Sequence, residues 1–187
     1  MTHDHADHIN GLDDLRAYNF IQRRPIPLYG DATVLATIRR CYDYCFNPKQ
    51  IGGGVPQLEL REVAAGRAFA IGSLEVTPVP ILHGGMPILG FRLGRHFAYL
   101  TDCSGVDSGA MDLLKDLRVL IVGALRRTPH PTHFSLDEAV AFSRRVAPSE
   151  RTWFTHITCS LDHFETNASL GAETQLLHDG QTIELPD

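Results

Sequence analysis

The sequence predicts a mixed α/β fold in layers. Three observations carry that expectation. Short strands rich in apolar residues fill 58–102, strands and amphipathic helices then alternate to the C-terminus, and a His or Asp stands at the end of several strands. The composition permits it. At 187 residues and 43% hydrophobic, the chain is long enough for one domain with a core.

The chain opens on Met1-Thr2-His3-Asp4-His5-Ala6-Asp7-His8, with three imidazoles and two carboxylates between positions 3 and 8. His3 and His5 are spaced i, i+2, so on an extended chain they point to one side and two nitrogens reach one ion. Asp7 and His8 follow where the chain turns into Ile9-Asn10-Gly11 and aim at a second ion. Imidazole with carboxylate suits zinc, manganese or iron. A histidine-rich solvated terminus or a tag-like scar is the bland alternative, but tags are homopolymeric and carry no ordered carboxylates.

Residues 10–22 read as a short helix with Leu12, Leu15 and Phe20, and 25–30 as extended chain because of its prolines. Asp31 predicts an N-cap for a helix carrying Val34, Leu35, Ile38, Tyr42 and Cys45 on one side. Residues 47–56 read as a Gly/Pro loop near the site. Strands are expected at 58–63, 68–71, 74–82, 88–93 and 97–101, and a helix at 108–117. The uninterrupted apolar run 119–122 predicts a buried strand. Residues 135–146 form the strongest helix, with Ser135 and Glu138 spaced as a capping box. Strand 152–155, a helix near 161–168 and strands 174–178 and 182–185 complete the chain. With no repeat and no linker, residues 1–187 read as a single domain.

The net charge of −5, with arginines in scattered pairs rather than one stripe, argues against a nucleic-acid partner. Cysteines at 41, 45, 103 and 159 form no disulfide framework, and Cys41 and Cys45 read as packed or idle thiols rather than a metal pair. There is no apolar run of membrane-spanning length and no leader ahead of the histidine run, so the expected compartment is the cytoplasm.

A binuclear site needs further donors. His83 ends strand 74–82, Asp102 ends 97–101, and His156 ends 152–155; the first two are followed by small-residue loops. Each stands at the strand edge where such folds collect their sites. Any one of these alone reads as a satisfied histidine or a turn aspartate; together with the opening run they read as ligands.

The order His3-x-His5-x-Asp7-His8, His83, Asp102, His156 resembles the metallo-β-lactamase-fold hydrolases. The opening run leading into Gly11-Leu12-Asp13-Asp14-Leu15-Arg16, together with Tyr99-Leu100-Thr101-Asp102, Pro131-Thr132-His133-Phe134-Ser135-Leu136-Asp137-Glu138-Ala139 and Thr155-His156-Ile157, is similar to the phosphoribosyl 1,2-cyclic phosphate phosphodiesterase branch. The resemblance implies an αββα sandwich lacking its first strands, and two divalent metal ions, zinc or manganese. It places His3, His5 and His83 on one ion, Asp7, His8 and His156 on the other, and Asp102 between them. A hydroxide held by both ions would attack a small-molecule phosphate ester. His133 and Asp7 are the catalytic candidates, His133 as the acid for the leaving alkoxide, near the N-terminal end of helix 135–146 with its amide groups. Arg127, His130 and His163 are candidates for substrate contact; His96 and His178 read as structural or exposed.

Two features depart from the family. Relatives carry a histidine three positions after the one matched by His156, where this chain has Cys159. They also carry further strands before the histidine motif. A sheet without them exposes edges and an apolar face, which predicts a polypeptide that is poorly stable alone or self-associates, for instance as a homodimer. It also predicts that His3 and His5 lie on a frayed terminus. Competing expectations keep the fold with a lactone, thioester or RNA 3′ end as substrate, or make the chain a non-catalytic fragment.

Overall fold

The structure is a computed structural model of the chain, and it describes residues 1–49 and 54–184. It divides into two compact units, Met1–Ala65 and Gly66–Asp187, where the sequence shows no linker.

In the first unit, Ala6–Ile9 (α1) leads through a 3₁₀ segment, Asn10–Leu15, into Arg16–Gln22 (α2). Arg23, in the left-handed region at φ 53°, ends that helix, and Pro25 prevents its resumption. Ile26–Gly30 (β1) pairs in parallel with Leu58–Glu62 (β2). The crossover between them holds Ala32–Cys41 (α3) and Asp43–Phe46 (α4). Asp31 caps α3 as expected, its Oδ1 accepting from the Val34 amide at 2.8 Å.

The expected helix is interrupted before Cys45, although Cys45, on α4, still packs against the same core as Val34, Leu35, Ile38 and Tyr42. The helix stops at Cys41 because Tyr42 leaves the helical region (ψ 36°) and sends its hydroxyl to the Ile9 carbonyl at 2.7 Å. Ile9, Leu12, Leu28, Val34, Leu35, Ile38 and Tyr42 form this unit's own core. Residues 50–53 of the expected glycine loop lie outside the described residues.

The second unit is a seven-stranded sheet in sequence order. Its strands are Phe69–Ile71 (β3), Leu74–His83 (β4), Met86–Leu93 (β5), Phe97–Leu100 (β6), Val119–Gly123 (β7), Arg151–Thr155 (β8) and Thr174–Leu176 (β9). β3 to β6 pair antiparallel and β6 to β9 parallel. Parallel neighbours need a crossover. Ser108–Met111 (α5), Leu136–Val146 (α6) and His163–Ser169 (α7) supply one each.

Two antiparallel steps separate β4 from β6, so β4 runs in the same direction as the parallel strands. The ends of β4, β6, β7 and β8 therefore share one edge. The core below that edge is Val79, Ile81, Leu100, Leu120, Val122, Phe142 and Phe154 with their neighbours. Phe154 is fully buried, and its truncation to Ala would cost about 3–5 kcal/mol.

The uninterrupted apolar run is β7, buried at every position, as expected. The helix expected at 108–117 is one α-turn plus a 3₁₀ turn, Asp112–Leu114, broken where Lys115 returns to extended geometry. His83 belongs to β4 rather than following it. No strand forms at 182–184, and Leu185 lies outside the described residues. No helix among the described residues is long and apolar enough to cross a membrane.

Candidate metal centre

In the first unit the opening run is tied down rather than frayed. The Met1 ammonium donates to the Tyr29 carbonyl at 2.6 Å, beside β1, and Thr2 and His3 are buried. The His3 ring centroid lies 4.5 Å from that of His5 and 4.2 Å from that of His8. Thr2 Oγ1 is 3.1 Å from His3 Nδ1 and 3.5 Å from His8 Nδ1, which turns the Nε2 edges of both rings away from the hydroxyl. Asp4 is removed from the donors, because its Oδ2 accepts from the Thr37 hydroxyl at 2.8 Å. Asp7 is exposed, with Oδ2 3.4 Å from His8 Nε2. The rings of His3, His5 and His8 thus gather at the entry to α1, with Asp7 beside His8.

In the second unit the shared sheet edge collects the others. Asp102 follows β6 and His156 follows β8, and both sit in the left-handed region, at φ 56° and 57°. A side chain other than glycine pays strain there, and such strain gathers at functional sites. The loop after Asp102 is bonded to the end of β4: the Ser104 amide donates to the Leu82 carbonyl at 2.7 Å, and the Gly84 amide donates to Ser104 Oγ at 2.8 Å. Asp102 is buried; its Oδ1 accepts from the Thr101 hydroxyl at 2.7 Å, and its Oδ2 lies 3.3 Å from His133 Nε2 and 3.4 Å from His156 Nε2. One donor atom each from Asp102, His133 and His156 falls within 4.8 Å of the others.

His83 Nδ1 bonds the Thr132 carbonyl at 2.8 Å. A carbonyl only accepts, so that nitrogen carries the proton and Nε2 keeps its lone pair, the arrangement of a metal-ligating histidine. The donor set is therefore chemically suited to zinc or manganese.

Burial holds the His133 pKa below the ordinary histidine value; Asp102 opposes that and the neighbouring His83 and His156 add to it. Its ring stacks on His156 at 5.0 Å and meets His83 edge-on at 4.6 Å. The expected anion site at the start of α6 is not open. Glu138 Oε2 already takes the Ser135 amide at 2.8 Å, and Ser135 Oγ accepts from the Glu138 amide at 3.4 Å, so the helix caps itself.

Among the substrate candidates, His163 and His156 both line a cavity of about 1050 Å³ with Phe97, Ile157 and His178. Arg127 is exposed and donates to Thr166 Oγ1 at 3.5 Å. His130 packs against His133, 5.0 Å between centroids. Sequence reasoning missed Thr132 and Gly123. A Cβ at Gly123 would stand 3.2 Å from the Asp102 amide nitrogen, so any larger residue at the end of β7 would press on the Asp102 backbone.

Comparison with known proteins agrees with this architecture. The beta-lactamase superfamily domain model matches residues 1–157. A diphosphatase from the PhnP family superposes with a TM-score of 0.88 at 37% identity, covering 99% of this chain and 70% of that one. Zn(2+)-bound PqqB from Methylobacterium extorquens has the same fold, with a TM-score of 0.76 at 18% identity over 98% of this chain and 71% of that one. An octanoyltransferase of Porphyromonas gingivalis (strain ATCC BAA-308 / W83) is 38% identical over 141 residues, which is 75% of this chain and 28% of that protein's length. The chain belongs to the beta-lactamase superfamily and has the metallo-β-lactamase fold, and it spans less than a third of the length of the curated relative it matches.

Proposed function

We propose that the chain is a metal-dependent hydrolase, a binuclear phosphodiesterase that opens a small cyclic phosphate or cleaves a nucleotide-like ester. The observation that carries the reading is the 37% identity with a PhnP-family diphosphatase along nearly the whole chain. His3, His5 and His83 would hold one ion, Asp7, His8 and His156 the second, and Asp102 would serve both. Divalent ions at such a site supply charge neutralisation for phosphoryl oxygens and an activated water.

The protein's own part is orientation and proton handling. Asp102 Oδ2 faces His133 Nε2, which sets that nitrogen toward the ligand cluster. A proton held at Nε2 passes to the leaving alkoxide as the P–O bond breaks. His163 and the neighbouring cavity wall would receive the organic part of the ester.

A second reading follows from the octanoyltransferase match: an acyl thioester in place of the phosphodiester, on the same ligands. The deciding experiment loads purified protein with zinc or manganese, counts bound metal, and compares bis-p-nitrophenyl phosphate, a cyclic nucleotide, an acyl thioester and a lactone. Two equivalents of metal with turnover of the phosphodiesters alone is the expected result. Thioester turnover without phosphodiester turnover gives the second reading, and loss of metal in His133→Ala makes His133 a ligand rather than an acid.

A further inference from the structure

His130 does not stand beside His133 by accident of a crowded loop. The Thr132 amide donates to His130 Nδ1 at 3.3 Å. An amide N–H can only donate, so His130 Nδ1 carries no proton and acts as an acceptor. The same nitrogen lies 3.2 Å from His133 Nδ1 and 3.2 Å from Thr132 Oγ1, and that hydroxyl lies 2.9 Å from His133 Nδ1. His133 Nδ1 is thus enclosed by two polar atoms fixed on one short loop, while its Nε2 faces Asp102 Oδ2 at 3.3 Å. Turning the ring over would set carbon against Thr132 and against the carboxylate, and both contacts would be lost.

The loop itself is held at each end. The Phe134 amide donates to the Cys103 carbonyl at 2.7 Å, and the Thr132 carbonyl holds His83. The clamp is therefore built on the segment that also positions a metal-ligand candidate.

We infer that His130 is a positioning residue, which together with the Thr132 hydroxyl locks the His133 ring so that Nε2 alone is presented to the leaving group. This rests on the reading of His133 as the acid. It assigns His130 a role distinct from binding substrate phosphate, and the two roles separate in kinetics. A phosphate contact acts on KM, whereas a clamp on the acid acts on kcat, and only where the leaving group needs a proton.

The test compares His130→Phe, which keeps a ring but removes the acceptor, with Thr132→Val and the rescuing Thr132→Ser. Metal-loaded proteins are assayed on a cyclic nucleotide, whose alkoxide leaves badly, and on bis-p-nitrophenyl phosphate, whose phenolate leaves well. His130→Phe and Thr132→Val should lower kcat on the cyclic nucleotide on the order of tenfold, with KM unchanged and the aryl ester little affected. Thr132→Ser should restore kcat.

Nitrogen-15 spectra of the histidine rings, recorded without metal, provide a readout independent of turnover. The His133 Nδ1 resonance should move in both damaging variants and return in Thr132→Ser. A raised KM at constant kcat in His130→Phe, or an unmoved Nδ1 resonance, overturns the clamp. Unchanged cyclic-nucleotide turnover in His133→Ala instead sinks the acid reading, and the spectra still decide whether the clamp exists.

Discussion

Thr132 holds His83 by its carbonyl, at 2.8 Å from His83 Nδ1. That bond fixes the tautomer in which Nε2 keeps its lone pair, so His83 enters any metal site already oriented. Zinc at 100 times its dissociation constant should then stabilise the protein by about 2.7 kcal/mol. His83→Ala should lose most of that increment when each protein is compared with its own metal-free melting temperature. An increment equal to that of the parent protein removes His83 from the donors.

Gly84 and Gly85 follow His83 and give opposite expectations. Gly84 has φ 63°, and a Cβ there would stand 2.8 Å from Thr132 Cγ2; a Cβ at Gly85 meets nothing within 4 Å. Gly84→Ala combines backbone strain with displacement of the loop that carries Thr132, and should destabilise by about 1–3 kcal/mol. Gly85→Ala should fall within about 0.5 kcal/mol of the parent. Denaturant unfolding of the two variants checks this, and equal effects would remove the steric argument.

The candidate ligand residues were legible because strand ends and histidine spacing are local patterns. The continuous apolar run 119–122 and the Ser135/Glu138 pair were equally plain, and both elements form where expected. Thr132 was invisible for a physical reason: its carbonyl and hydroxyl act on His83 and His133, and a backbone carbonyl leaves no mark in residue type. Gly123 was invisible as well, since its role depends on how closely the Asp102 amide passes the end of β7. The stop at Cys41 was missed because Tyr42 leaves the helix for a bond to the Ile9 carbonyl, a contact 33 residues away in sequence.

The four cysteines should differ sharply in reactivity. Cys41 and Cys159 are exposed and Cys45 half-buried, while Cys103 is fully buried. Burial pushes the Cys103 thiol up to about 12, so the thiolate that reacts is almost absent at neutral pH. A disulfide reagent should label Cys41 and Cys159 quickly, Cys45 more slowly, and Cys103 only on unfolding. Rapid labelling of Cys103 in the native protein would mean that the loop after Asp102 opens.

The cap on α6 predicts a pH dependence. The Ser135 hydroxyl and amide hold the Glu138 carboxyl below its ordinary value, 4.5. A carboxylate lowered on folding stabilises the native state above the unfolded value, and that contribution disappears as pH falls through the folded one. Glu138→Gln keeps a capping side chain but does not titrate, so comparison with the parent isolates the charge. The parent should melt higher at neutral pH, and the gap should shrink only as the pH falls below the ordinary value of 4.5. Ser135→Ala removes the bonds of the Ser135 hydroxyl but leaves its amide donating to Glu138, and should cost about 1 kcal/mol at neutral pH. A gap between parent and Glu138→Gln that stays constant from neutral to acid pH would show that the carboxylate contributes nothing through its charge.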